Sequence, residues 1–239
     1  MFNKKLIFFH VVILICFSCS KNMKEEYNWE KEVKSKTTSI SVPLTEDEIY
    51  NLSKYKEEIT TSVIQKFINM CSSNGGGKVI VPSGEYNNIG KIELKSNVWL
   101  HFEKGAVINF STNKEDFLPM ILTSWEGNDV YNFSSFIHAE GQNNIAITGD
   151  AILNGNGSKS LWWNWKDKSL PVPEREENHP DIRPRLLRQN RDNVPVSERK
   201  YGISSKLRPY FMTLRNCKNI HIKGITLTNS PMWNIPVSY

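Results

Sequence analysis

The chain has 239 residues, of which 39% are hydrophobic and 23% charged, and it carries a formal charge of +5. This globular composition excludes wholesale disorder, collagen and a multi-span membrane protein, and the modest positive charge permits an acidic partner without requiring nucleic acid. Four cysteines are too few for a disulfide scaffold, and no Cys/His cluster points to zinc.

Lys4 and Lys5 precede an apolar run from Leu6 to Phe17 that only His10 interrupts. A run of this length is too short to span a bilayer, which needs roughly 20 residues, and it fits the apolar region of a secretory signal over residues 1–18. Ser18-Cys19 places a small residue before a cysteine, as at a bacterial lipoprotein cleavage site. Cys19 is therefore the predicted lipidation site, a membrane the predicted partner through that anchor, and the cell envelope (outer membrane or periplasm) the predicted location. Cys16 and Phe17 are unusual just before such a cut, so plain secretion and a membrane-retained anchor stay open. Residues 19–45 are polar and charge-mixed and read as a flexible tether. The domain proper is expected over residues 46–239.

Thr60 to Met70 has apolar residues at Val63, Ile64, Phe67, Ile68 and Met70, which is helical spacing, with Thr60 or Thr61 as N-cap. Asn74 and Gly75-Gly76-Gly77 then stop the helix. Lys78 is followed by Val79 rather than Ser or Thr, so the glycines make a turn into a strand, Lys78 to Val81, and not a phosphate loop. Cys71 and Cys217 read as small buried side chains.

Beyond residue 92 a pattern recurs: asparagine, a short alternating apolar run, then a glycine bend and a second apolar run. Its copies begin at Asn97, Asn144 and Asn219, 47 and 75 residues apart, with bends at Gly105, Gly149 and Gly224. Strands this short cannot hold a sheet alone, but they can if successive turns of chain stack. The predicted fold is therefore all-β, a right-handed parallel β-helix. Val98, Leu100, Ile145, Ile147, Ile220 and Ile222 would face inward, and the asparagines would sit at a corner in left-handed backbone. The 47-residue gap suits about two coils, and the 75-residue gap two or three coils with a protruding loop. The helix at Thr60 to Met70 would cap the first coil. A β-sandwich, which also uses short strands, is the competing fold.

Residues 158–206 have little strand character and read as a long loop insert. Trp162, Trp163 and Trp165 can stack on sugar rings or pack the loop, and Arg183, Arg185, Arg188 and Arg191 can fork onto carboxylates or remain solvated.

Several strings, in order, carry a resemblance: Gly75-Gly76-Gly77 through Tyr86, Leu94 through Ala106, Trp125-Glu126-Gly127, Asn144 through Gly149, Trp162-Trp163, Arg208-Pro209 and Asn229-Ser-Pro-Met-Trp233. From about residue 40 to about residue 235 the chain resembles the N-terminal part of the family-28 glycoside hydrolases, the polygalacturonases. The resemblance implies inverting hydrolysis of α-linked galacturonic-acid bonds in pectic polysaccharide, with no metal or other cofactor and by a monomer. Inversion needs an acid and a base roughly 6.5–9.5 Å apart. In the family these come from Asn-Thr-Asp and Asp-Asp segments, with Gly-His-Gly and Arg-x-Lys completing the site, all downstream of the Asn-Ser-Pro-x-Trp string. The chain ends six residues after Trp233 and contains none of them in place. No catalytic residue is therefore assigned, and the expectation is a solenoid truncated at its C-terminal end, prone to aggregate and inactive alone. Trp125, Glu126, Arg208 and Trp233 are the predicted substrate-binding residues. Asp150 falls in a repeat bend and reads as a turn residue. A non-catalytic lipoprotein that binds acidic polysaccharide is the alternative function. A calcium-dependent pectate lyase is disfavoured, because the repeats lack clustered acidic ligands.

Overall fold

The computed structural model describes residues 28–37, 48–55, 58–166 and 182–236. The expected signal segment, Cys19 and most of the expected tether lie outside them. The chain divides into two units, residues 1–39 and 40–239. In the first, α1 (Trp29–Thr37) forms within the stretch read as a tether. The Lys31 amide donates to Asn28 Oδ1 at 2.9 Å, and Glu30 and Glu32 sit in the first turn, where the helix dipole favours negative charge.

The second unit is built from short parallel strands. After β1 (Ile49–Asn51) and α2 (Thr61–Ser73) come β2 (Gly77–Val81), β3 (Gly84–Ile89) and β4 (Ile92–Glu93), which make one turn of chain. The next turn is β5 (Val98–Phe102), β6 (Ala106–Phe110) and β9 (Ile137–Glu140), with the hairpin of β7 (Ile121–Trp125) and β8 (Asn128–Asn132) projecting between β6 and β9. The third is β10 (Asn143–Gly149), β11 (Ile152–Asn154) and, beyond the insert with its helix α3 (Ile182–Arg191), β12 (Met212–Arg215). β13 (Lys218–Lys223) and β14 (Thr226–Thr228) follow. Strands one turn apart pair in parallel to give three faces, ordered β1-β2-β5-β10-β13, β14-β11-β6-β3 and β12-β9-β4. The fold is a parallel β-helix.

The three asparagine-led copies stack as expected, with Ile147 registered on Leu100 and Ile145 on Ile220. The coil count differs from expectation. β5, β10 and β13 are immediate neighbours, so the gaps of 47 and 75 residues are each one coil. A bare turn is short, since Gly77 pairs with Val98, and this makes 47 residues look like two turns. The surplus instead leaves the stack as the β7–β8 hairpin and the 158–206 insert.

Inward-facing Val79, Val81, Leu100, Phe102, Ile108, Ile145, Ile147 and Leu153 are fully buried, and each such side chain contributes about 1.5–3 kcal/mol. Ile220 and Ile222, on the outermost strand, are only partly buried. The β9 face adds an aromatic stack: Phe136 lies 4.5 Å from Phe117, 4.9 Å from Phe110 and 5.4 Å from Phe211. Corner asparagines link the layers. Asn144 donates to Asn97 Oδ1 and Asn219 to Asn144 Oδ1, both at 2.9 Å, and all three have φ between 54° and 63°. A second ladder, unread in the sequence, runs from Asn229 to Asn154 to Asn109. Gly149 is required by close approach: at φ 147° a Cβ there would collide with the Phe102 carbonyl oxygen.

Helix α2 caps the stack. It buries Val63, Ile64, Ile68 and Cys71, and Thr60 occupies the N-cap position. Gln65 acts as a surrogate strand: its amide donates to the Glu93 carbonyl and accepts from the Glu93 amide, both at 2.8 Å, and so satisfies the β4 edge. Burial, then Glu48, pushes the Cys71 thiol up to about 11.

Candidate functional site

The site lies where the hairpin and the insert meet the solenoid. Trp125 pairs with Asn128, so Glu126-Gly127 is a two-residue turn, and both residues have positive φ (47° and 82°), as a type I′ turn requires. The turn is pinned from two sides. The Glu126 amide donates to the Tyr210 hydroxyl at 3.2 Å, and Asn128 Nδ2 donates to the Glu126 carbonyl at 3.1 Å. The insert is tied to β8 by backbone and side-chain bonds. Tyr201 N donates to the Tyr131 carbonyl, Asn132 Nδ2 to the Leu207 carbonyl, and Arg199, itself buried, to the Asp129 carbonyl at 3.4 Å, while its bonds to the Val194 carbonyl and Asn190 Oδ1, both at 2.9 Å, brace the insert internally. Beneath this network Trp125, Val130, Leu186, Tyr201 and Leu207 form a small second core.

Three of the four predicted binding residues converge. Glu126, Arg208 and Trp233 line one cleft of about 390 Å³, together with Trp163, Ser230, Pro231 and Met232. That volume falls in the range of small-ligand sites. Trp125 is not among them: it is 7% exposed and packs into the second core, because alternation along β7 turns its ring inward while Glu126, on the turn, projects outward.

Arg208 donates from Nη1 to the Pro231 carbonyl at 2.7 Å, its one hydrogen bond among the described residues. Burial lowers its pKa and the nearby Glu126 carboxylate opposes that shift. Glu126 itself accepts from Arg183 Nε at 2.6 Å. Trp233 is 56% exposed and lies parallel to Tyr210, with centroids 6.0 Å apart. Burial raises the Tyr210 pKa, so its hydroxyl stays protonated at neutral pH. Trp233 also lines a second cavity of about 580 Å³, with Asp129, Arg199, Tyr210 and Arg215 among others. There Arg215 bridges Asp129 at 3.1 Å and Glu140 at 3.6 Å.

The tryptophans of the insert divide. Trp162 is buried against Phe117 and Phe136, and Trp165 packs on Trp162 and Phe133. Trp163 is 40% exposed, lines the cleft, and donates from Nε1 to the Ser230 carbonyl at 2.8 Å. Of the arginines, Arg183 reaches Glu126, Arg185 lies over the Tyr201 ring and Arg191 pairs with Asp192. Asp150 sits in its bend and pairs with Lys104 on the exposed surface. Tyr210, Asp129 and Arg215 went unnoticed in the sequence, where only the Arg208-Pro209 string beside Tyr210 offered a signal.

Chemically the cleft presents a part-buried guanidinium with donors to spare, a carboxylate and two indole faces. That set can fork onto an anionic group and stack on a ring.

No family model matches the chain. A probable polygalacturonase from Vitis vinifera is 26% identical over 193 residues, covering 77% of this chain and 32% of that protein. A hyperthermoactive exopolygalacturonase from Thermotoga maritima superposes with a TM-score of 0.74 at 31% identity, over 85% of this chain and 47% of that one. A family 28 exopolygalacturonase from Yersinia enterocolitica shares the fold, with a TM-score of 0.53 at 22% identity over 79% of this chain and 36% of that one. The chain thus spans less than half the length of each. The fold is an all-β solenoid with a cleft on its side. Within that class the chain is homologous to polygalacturonases and is a polygalacturonase-like protein.

Proposed function

We propose that the chain binds saccharide as a polygalacturonase-like hydrolase, one that acts on α-linked galacturonic-acid polysaccharide by inversion. The observation that carries this reading is the convergence of Glu126, Arg208 and Trp233 on one cleft. Arg208 anchors a uronate carboxylate. Its planar fork matches a carboxylate, and its partial burial strengthens the contact by excluding water. Trp233 and Trp163 receive the apolar faces of sugar rings. Tyr210 fixes the Trp233 plane in advance, which lowers the ordering cost of binding. Hydrolysis requires a positioned acid and base on opposite faces of the scissile bond. No residue of this cleft is assigned to either role, and the cleft is proposed only to hold the saccharide.

The reading is tested by calorimetric titration with trigalacturonate. Wild-type chain should bind it, and Arg208→Ala should bind at least about tenfold more weakly, as expected for losing a hydrogen bond to a charged group. Binding that ignores the Arg208 substitution would refute it. Export and lipidation at Cys19 belong to the same proposal and rest on the sequence alone. Labelled palmitate should enter the wild-type chain and not Cys19→Ala.

A further inference from the structure

We propose that Glu126 limits how strongly the cleft prefers acidic over neutral sugars, as a resident carboxylate against which the carboxylate of a bound sugar must compete. This inference rests on the acidic-saccharide reading above and deepens it.

The first observation is conformational. Ten non-glycine residues among those described have positive φ, and eight of them are asparagine, the residue that tolerates left-handed backbone best after glycine. The exceptions are Trp162 and Glu126. Trp162 is explained by its ring, which is buried in the aromatic stack. Glu126 has no such packing role. It occupies the first position of a type I′ turn before Gly127, where Asn-Gly is the favoured pair. Glutamate there carries backbone strain that asparagine would relieve, and such strain marks a side chain kept for what it does.

The second observation is where the carboxylate goes. It turns to the cleft wall, accepts from Arg183 at 2.6 Å and lies near Arg208 without hydrogen-bonding to it. Its effect on Arg208 is electrostatic, since it opposes the lowering that burial imposes on that guanidinium. Arg208 on the cleft wall and Arg183 behind Glu126, set against the one carboxylate, leave a net single positive charge around it. The cleft then favours a ligand carboxylate over a neutral group, but Glu126 repels that carboxylate and moderates its affinity. A residue that instead bonded sugar hydroxyls would add to affinity for acidic and neutral sugars alike.

Calorimetry on the full chain with trigalacturonate and with neutral α-1,4-galactotriose separates these roles. Glu126→Gln should bind trigalacturonate about two- to fivefold more tightly than wild type, the scale of one partly exposed ion pair. The gain should shrink as salt is raised, and galactotriose should be unaffected. Glu126→Asn, which suits the turn, should behave the same way and guards against a folding artefact. Weaker binding of both sugars, or unchanged affinity for trigalacturonate, overturns the inference. Binding that depends on Arg208 but is indifferent to residue 126 overturns the inference alone. If neither wild type nor Glu126→Gln binds trigalacturonate, the acidic-saccharide reading falls and takes this with it.

Discussion

The solenoid and the side wall formed by the hairpin and insert are held together by different physics. In the solenoid, each layer repeats the one below it, so a single residue choice works several times over. Asn97, Asn144 and Asn219 make one ladder, and Leu100 and Ile147 stand in one apolar column. In the side wall nothing repeats. Its core is five residues, and its attachments are individual polar bonds such as those of Arg199 and Asn132. The cleft sits on the side wall. Its polar and aromatic lining thus lies where changing one residue does not disturb a stack.

This contrast makes ordered predictions. The largest effect belongs to the solenoid's aromatic stack: Phe136→Ala should destabilise by about 3–5 kcal/mol in urea unfolding, because Phe110, Phe117 and Phe211 each lose one ring contact and a cavity is left between them. Next is the ladder. Asn144→Ala should cost about 1–2 kcal/mol for the left-handed backbone, with the lost ladder bonds in addition, and Asn144→Gly distinctly less. Equal losses would show that the ladder bonds matter and the backbone conformation does not.

A pH effect should be traceable to His138, whose pKa burial lowers, with Glu93 and Glu140 opposing and Lys91 assisting. The unfolded state then takes up a proton near pH 6.5 while the folded state does not. Stability contributed by His138 is complete above pH 6.5 and falls as pH drops toward the folded pKa. His138→Gln should flatten that part of a pH-dependent melting curve.

The smallest effect belongs to the side wall: Glu126→Asn should leave stability unchanged or raise it by up to about 1 kcal/mol. Relief of left-handed strain is set there against a half-exposed ion pair with Arg183. A loss as large as that from Phe136→Ala would erase the distinction between the two regions.

What the sequence made legible follows the same division. Repetition exposed the strands, the corner asparagines and the capping helix, because each obeys a local rule at a fixed spacing. The coil count escaped, because a side excursion and an added turn lengthen the chain alike, and only pairing of Trp99 with Ala146 tells them apart. In the cleft, Glu126, Arg208 and Trp233 were legible through family strings. The inward turn of Trp125 was not, since its direction depends on which face of the hairpin meets Leu186 and Leu207. Tyr210 was missed because its role, backing Trp233 and holding the Glu126 amide, is contact between residues distant in the chain.

The cleft is tested most directly by following the tryptophan indole N–H resonances during titration with trigalacturonate. Those of Trp163 and Trp233 should move together and saturably, while that of Trp99, held by Thr148 on the outer face of β5, stays still. Movement of Trp99 with Trp163 and Trp233 unmoved would place the saccharide elsewhere and contradict the account.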